Sequence, residues 1–287
     1  MGKRLKLAIQ KKGRLGHYIP PFLQQAGLNF EIRERQLISP CINYPLDLIF
    51  IRHRDVVPFV ESGQADLGIV GSDMYEEMES KLPILLELGF AKSTLTIAVP
   101  KISTISDLDG LNGKTIATTF PRIATNFFKK ENIPVNIITL GGSVEVAPQL
   151  EIADAIVDLV GTGTTMKLNG LRPLAPILTA QAILIGSTSV QQSQQSAIDE
   201  LIMRMQSVQN AEKKKYVLFN IPQKNIAKVH AIFAGLTGPS IIPVESETPT
   251  VAIHVVVAAE EVWEKIVALR ALEATGILVL PIDNLLP

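Results

Sequence analysis

Cysteine is almost missing. Cys41 is the one thiol in 287 residues, so no disulfide can close within the chain and no cysteine cluster can hold zinc. That fits a reducing compartment. The 4 histidines are scattered without metal-ligand spacing, and His254, on a predicted strand, reads as structural. No Ser-His-Asp or Cys-His arrangement emerges, and Cys41 reads as inert. A surplus of either charge is also lacking: 27 Lys and Arg face 28 Asp and Glu, for a net charge of -1. This argues against a dedicated nucleic-acid binder, whose affinity comes from excess Lys and Arg, but leaves room for a local basic pocket. Long apolar runs are absent too. After Lys3, Arg4 and Lys6 only Leu7, Ala8 and Ile9 follow, short of the roughly 7–15 residues of a secretory signal. The apolar stretch 251–259 contains His254 and falls short of the roughly 20 residues of a membrane span. A cytoplasmic chain that does not enter a membrane is expected.

What is present is apolar residue in short, regular portions. Hydrophobic residues make up 47% and charged ones 19%, enough for two or three packed units at about 100–200 residues each. Over the first two thirds, residues 5–10, 46–52, 67–71, 95–100, 114–119, 135–140 and 155–161 read as strands rich in Val, Ile and Leu. Helix-like stretches lie between them at 17–26, at 55–62 before Gly63, and at 123–131 after Pro121. Alternation of this kind predicts an α/β fold with largely parallel sheets covered on both faces. Fresh strands at 93–100 and 180–186 suggest two crossings between a pair of lobes.

The texture changes at the Gln and Ser run 191–196, followed by a helix at 197–205 and a charged stretch at 211–215. Beyond it, strand 216–220, helix 225–233, strands 240–244 and 251–258, helix 260–272 and strand 277–281 follow in turn. Val262, Ile266 and Leu269 share one stripe of the last helix. The order βαββαβ is that of a ferredoxin-like unit.

The sharpest local pattern is Asp154-Ala155-Ile156-Val157-Asp158-Leu159-Val160-Gly161-Thr162-Gly163-Thr164-Thr165. An apolar strand ends in a carboxylate, a Gly-Thr run follows, and then a helix-like stretch. Glycines let backbone amides approach an anion, a helix start adds unpaired donors, and Thr hydroxyls add more. The loop suits a monoester phosphate, and Asp158 is placed for ribose hydroxyls or Mg²⁺. No Lys-Ser/Thr pair follows Gly163, so it is not a Walker loop. The plain alternative is a strand-to-helix turn capped by Thr. Lys11-Lys12-Gly13-Arg14 and Arg52-His53-Arg54-Asp55 end two other strands, where parallel sheets collect ligands. Each is a phosphate-gripping turn or a solvated one. Gly71-Ser72-Asp73 ends a third strand, and Asp73 either accepts from an adenine amino group or caps the next helix.

Together these segments resemble the ATP phosphoribosyltransferase family over essentially the whole chain. The resemblance is carried by Gln10-Lys11-Lys12-Gly13-Arg14-Leu15, Asp66-Leu67-Gly68-Ile69-Val70-Gly71, Gly142-Ser143-Val144-Glu145-Val146-Ala147-Pro148, residues 153–163 and Ile277-Leu278-Val279-Leu280-Pro281-Ile282. Stretch 145–165 is the most specific, with Glu145, Asp158, Thr162, Gly163 and Thr165 in their signature places. Glu151 departs from it, because the family pattern usually has glycine there.

The resemblance implies the long, histidine-regulated form. Its catalytic part is two-lobed and periplasmic-binding-protein-like, with 1–92 and 181–210 as lobe I and 93–180 as lobe II. A C-terminal ferredoxin-like (ACT-like) domain, 211–287, would bind histidine as feedback inhibitor. A homo-oligomer, dimer or inhibited hexamer, is implied. So is the reaction: N1 of ATP attacks phosphoribosyl pyrophosphate and pyrophosphate departs with Mg²⁺ assistance. Implied phosphoribosyl pyrophosphate contacts are Glu145, Asp158, Gly161, Thr162, Gly163, Thr164 and Thr165, with Asp158 also toward metal. Lys11, Lys12, Arg14 and Arg52 would serve phosphate or nucleotide, Arg14 and Asp73 the ATP side, and Asn220, Ser240 and Gly276 the regulatory histidine. Three other readings compete: a solute-binding protein of the same architecture, a catalytically dead sensor, and a phosphoribosyltransferase for another acceptor base.

Overall fold

The computed structural model describes residues 4–33, 35–161, 164–190, 194–233 and 238–286. The chain divides into two compact units. One comprises Met1–Pro21 and Leu28–Ile198, the other Phe22–Gly27 and Asp199–Pro287.

The first unit holds two sheets. The six-stranded one runs, in spatial order, β2 (Ile38–Pro40), β3 (Leu46–Ile51), β1 (Leu5–Gln10), β4 (Leu67–Gly71), β11 (Ala182–Gly186) and β5 (Ile84–Glu87). The five-stranded one runs β10 (Leu171–Ala180), β6 (Ser93–Pro100), β9 (Ala155–Val160), β7 (Thr115–Thr118) and β8 (Asn136–Thr139). The chain leaves the first sheet between β5 and β6 and returns between β10 and β11, which gives the twice-crossed, two-lobed periplasmic-binding-protein-like architecture. We call the six-stranded part lobe I and the other lobe II.

The expectation of largely parallel sheets needs correcting. β1 is parallel to β3 and β4, and β7 to β8 and β9, but β2, β5, β6, β10 and β11 join their neighbours antiparallel. Parallel pairing needs a crossover on the sheet face, whereas the strands that pass between lobes enter their sheets in the opposite sense. Strands β2, β5 and β10 were not expected. β10 carries Pro173 and Pro176 and is broken by two register shifts, as suits an edge strand and as blurs any apolar pattern. β4 and β11, by contrast, are buried at every residue and read directly as core strands.

Helix α1 (Arg14–Gln25) begins earlier than its periodicity suggested, so Arg14 stands in the first helical turn. The helices α2 (Val56–Glu61) and α3 (Ser72–Glu77) follow β3 and β4. Helix α4 (Pro121–Lys130) follows β7 with Pro121 in its first turn, and α5 (Thr164–Leu168) follows β9.

Helix α6 (Gln195–Glu212) carries the chain into the second unit. There β13 (Ser240–Pro243), β14 (Thr250–Ala258), β12 (Lys214–Pro222) and β15 (Thr275–Pro281) form an antiparallel sheet in that spatial order. With α7 (Ile226–Ile232) and α8 (Val262–Ala271) this is the ferredoxin-like arrangement. Alternate residues of β12 and β14 enter a core with Val229, Phe233, Val262 and Leu269, and Ile266 packs against it. No helix among the described residues is long and apolar enough to cross a membrane.

Phe219 is fully buried in this core and stacks on Phe233 at 6.2 Å between centroids. Phe219→Ala should destabilise the second unit by about 3–5 kcal/mol. Chemical denaturation followed by near-ultraviolet circular dichroism tests this, and a loss under about 1 kcal/mol would mean that the core closes over the gap.

Candidate active site

Three chain turns meet at the carboxyl edge of the parallel strands β3, β1 and β4. The first is Lys11-Lys12-Gly13, the second Arg52-His53-Arg54-Asp55, the third Gly71-Ser72-Asp73. They border two neighbouring hollows. The larger, about 510 Å³, is lined by Lys11, Lys12, Arg52, His53, Arg54 and the stems of β1 and β3. The smaller, about 160 Å³, is lined by Arg14, His53, Asp73 and apolar side chains, among them Phe120 and Leu159 from lobe II. Gln10 and His53 border both. A further hollow of about 650 Å³ in lobe II, lined in part by Lys114 and Asp154, lies at the amino ends of β7 and β9, away from these turns.

The cations have different tasks. Lys11 Nζ donates to the carbonyls of Arg33 at 3.1 Å and Gln36 at 2.8 Å and stands 5.7 Å from the Phe50 ring centre. It therefore braces the loop before β2 as well as lining the hollow. Lys12 and Arg52 are exposed. Arg54 Nη2 donates to the Thr119 carbonyl at 3.2 Å, linking lobe I to lobe II. Arg14 Nη2 pairs with Asp73 Oδ2 at 3.1 Å, while Arg14 Nη1 is buried with no hydrogen-bond partner. A buried guanidinium nitrogen left unpaired is costly, and an anionic or polar ligand atom in the smaller hollow would satisfy it.

Asp73 is buried, and its Oδ1 accepts from the Met74 amide at 2.9 Å, so it turns back on its own helix while holding Arg14. Gly71 makes this possible, since a Cβ there would stand 2.0 Å from Asp73 Oδ1. His53 was noted in the sequence only as part of a basic turn. Burial lowers its pKa below the usual 6.5, Arg54 and Arg14 lower it further, and Asp73 and Asp55 oppose them.

The two candidate carboxylates of lobe II, Asp158 and Glu145, lie outside the lining of both hollows. Asp158, on β9, is half-buried and accepts from the Leu159 amide at 2.8 Å. Burial raises its pKa above 3.8, the Leu159 amide opposes that, and the charge of Glu145 raises it further. Glu145 lies in the 3₁₀ turn Val144–Val146, which packs on β9. Gly161 is exposed at the strand end, and Thr164 opens α5 and is exposed. Thr162 and Gly163 lie outside the described residues, as does the Thr165 side chain. Glu151 has φ +56°, a left-handed conformation that glycine adopts without strain, which accounts for glycine in the family pattern. In the second unit Asn220 and Ser240 share the sheet face opposite the helices. Ser240 pairs with His254 and Asn220 with Ala252, and the Asn220 amide nitrogen is 3.5 Å from where a Gly276 Cβ would stand.

Fold and site define a two-lobed α/β protein whose basic turns border a hollow walled by both lobes, with a buried guanidinium nitrogen left for an anionic or polar ligand atom. Residues 52–207 match the family model for ATP phosphoribosyltransferase, and 211–284 that for the HisG C-terminal domain. The chain belongs to the ATP phosphoribosyltransferase family, and is a glycosyltransferase-type enzyme of histidine biosynthesis. It is 37% identical over 282 residues to the ATP phosphoribosyltransferase of Bacteroides thetaiotaomicron, covering 98% of this chain and 99% of that one. It is 34% identical to that of Methanocella arvoryzae over the same shares. A solved ATP phosphoribosyl transferase (HisG:HisZ) complex from Thermotoga maritima superposes with a TM-score of 0.61 at 30% identity, covering 70% of this chain and 96% of that one.

Because Asp158 is harder to ionise when folded, the unfolded chain gains stability over the native one as pH rises from 3.8 through the raised native value. Asp158→Asn removes that penalty. Its melting temperature should exceed that of the wild type at pH 7, with the gain disappearing below about pH 3, where both forms are protonated. A lower melting temperature at pH 7 would mean that the carboxylate is held by compensating contacts.

Proposed function

We propose that the chain transfers the phosphoribosyl group of phosphoribosyl pyrophosphate to N1 of ATP, the first step of histidine biosynthesis, and that histidine inhibits it through the C-terminal unit. The observation that carries the reaction is the buried, unpaired Arg14 Nη1 beside a hollow walled by both lobes and bordered by the basic turns of lobe I. In the transfer, the N1 lone pair forms the bond to the anomeric carbon as the bond to the pyrophosphate oxygen breaks. The electron pair leaves with pyrophosphate, and no protein nucleophile takes part.

The chain's share is positioning and charge compensation. Residues 161–165 are proposed to bind the 5′-phosphate, through Gly161, Thr162, Gly163, Thr164 and Thr165. Asp158 and Glu145 would hold ribose hydroxyls and stabilise positive charge on the ring. Lys12, Arg52 and Lys11 would face pyrophosphate or triphosphate oxygens. Arg14, with its unpaired Nη1, and its partner Asp73 would face ATP.

Among the described residues no group of three or more His, Cys, Asp or Glu side chains is arranged to hold a metal. The pair Asp158 and Glu145 fits Mg²⁺ nonetheless, since Mg²⁺ is commonly bound by one or two carboxylates plus substrate phosphates. When bound, it would neutralise the departing pyrophosphate.

The open sheet face carrying Asn220 and Ser240, with Gly276 beside Asn220, is the proposed histidine site. The ferredoxin-like domain and the match to the HisG C-terminal domain support that assignment. Family membership supports residues 1–92 with 181–210, and 93–180, as the two catalytic lobes, with 211–287 as the regulatory domain. It also supports a cytoplasmic homo-oligomer, a dimer or an inhibited hexamer.

The steady-state rate of phosphoribosyl-ATP formation, with Mg²⁺ and both substrates, is expected to fall when histidine is added. No turnover in a folded sample would leave the solute-binding or sensor reading, and turnover indifferent to histidine would remove the regulatory assignment. Thr162→Ala or Thr165→Ala should raise the KM for phosphoribosyl pyrophosphate about tenfold, the loss of one hydrogen bond to a charged group, and leave that for ATP nearly unchanged. Equal, negligible effects on both would remove the phosphate-loop assignment.

A further inference from the structure

Helix α4 begins without a cap of its own. Phe120, at its N-cap, has no side chain able to accept; Pro121 has no N–H; and the first amides without helical partners belong to Arg122 and Ile123. Both are taken by a carboxylate from the other lobe. Glu77 Oε1 accepts from the Arg122 amide at 3.1 Å, and Oε2 accepts from Arg122 at 3.1 Å and Ile123 at 3.0 Å. Glu77 is only 8% exposed. It is the last residue of α3, where its own helix offers a negative dipole end, so nothing in α3 favours a buried carboxylate there. The positive end of α4 does, and charge-assisted hydrogen bonds offset the desolvation.

This contact brackets the smaller hollow. Helix α3 supplies Asp73 and Met74 to one wall, and Phe120, immediately before α4, supplies the facing wall from lobe II. On the other side of Phe120 the Thr119 carbonyl is held by Arg54. Phe120 is thus fixed to lobe I from both directions in sequence. We infer that Glu77 is a positioning residue for the nucleotide: by capping α4 across the lobes it sets the distance between the Asp73 wall and the Phe120 wall of the hollow that receives ATP. The inference rests on the proposed assignment of that hollow to ATP.

The test combines three variants with three readouts. For Glu77→Ala, the amides of Arg122 and Ile123 should exchange hydrogen faster, and the ATP dissociation constant from calorimetry should rise about tenfold, with the KM for phosphoribosyl pyrophosphate changing less than about threefold. Glu77→Gln keeps an acceptor oxygen and should restore most of the ATP affinity. Glu77→Asp, one methylene short, should fall between the two. These two also serve if the alanine variant does not fold. Faster exchange at Arg122 and Ile123 with ATP affinity unchanged would overturn the inference, leaving a cap that only stabilises α4. A wild type that binds ATP without turnover would instead sink the proposed reaction while the inference about Glu77 stood.

Discussion

The parallel pairing of β1 with β3 and β4 is the constraint on which the rest of the site depends. Parallel strands end on the same edge, so the turns after all three must share one neighbourhood however far apart they lie in the chain. Residues 11–14, 52–55 and 71–73 come together by that geometry alone. The register is held by strands with almost no exposed face, since β4 is buried throughout and Leu5, Leu7, Ala8 and Ile9 of β1 are all inside. A slip of one residue would turn Lys6 inward and Leu5 and Leu7 outward. Precision at a polar site is thus obtained from an apolar sheet.

The second constraint is electrostatic. Cations gathered on one edge repel one another, and the chain relieves this unevenly. Arg14 is neutralised by Asp73, Lys11 and Arg54 donate to carbonyl groups, and His53 is harder to protonate than a free imidazole, while Lys12 and Arg52 remain exposed. In lobe II, burial and the charge of Glu145 make Asp158 harder to ionise. The unpaired Arg14 Nη1 and the carboxyl of Asp158 are each held at a cost, which a ligand group of opposite charge beside either one would lower. Such a site favours binding in the cleft without any residue of unusual reactivity, which agrees with the absence of a nucleophile arrangement in the sequence.

What could be read from the sequence was whatever is decided locally. The core strands, the βαββαβ order and the turns at Lys11, Arg52 and Asp158 are carried by contiguous residues with one dominant pattern. Strand sense was misread because alternation of strands and helices looks the same whether a strand continues its sheet or crosses to another. β10 was missed because Pro173 and Pro176 and its half-exposed face erase the period-two signal. Arg14 was assigned to a turn because the helix starts before its apolar stripe does. The turn containing His53 was noticed, but the lowering of its pKa comes from partial burial and Arg14 as well as its neighbour Arg54, against Asp73, and only the fold brings these together.

Glu77 shows where local reading stops. In the sequence it is one of several acidic residues at 76, 77 and 79, with nothing to distinguish it from its exposed neighbour Glu76. Helix α4, for its part, opens on Phe120-Pro121 with no capping side chain, which by itself is a defect. Each is locally inconsistent, a buried charge without a partner and a helix start without a cap, and the two inconsistencies cancel across the lobes. Natural sequences keep such violations where structure elsewhere compensates them, most often near function. A helix start that lacks a cap in an otherwise well-punctuated sequence is therefore a signal in its own right: it asks for a distant acceptor, and here that acceptor joins the two walls of the cleft.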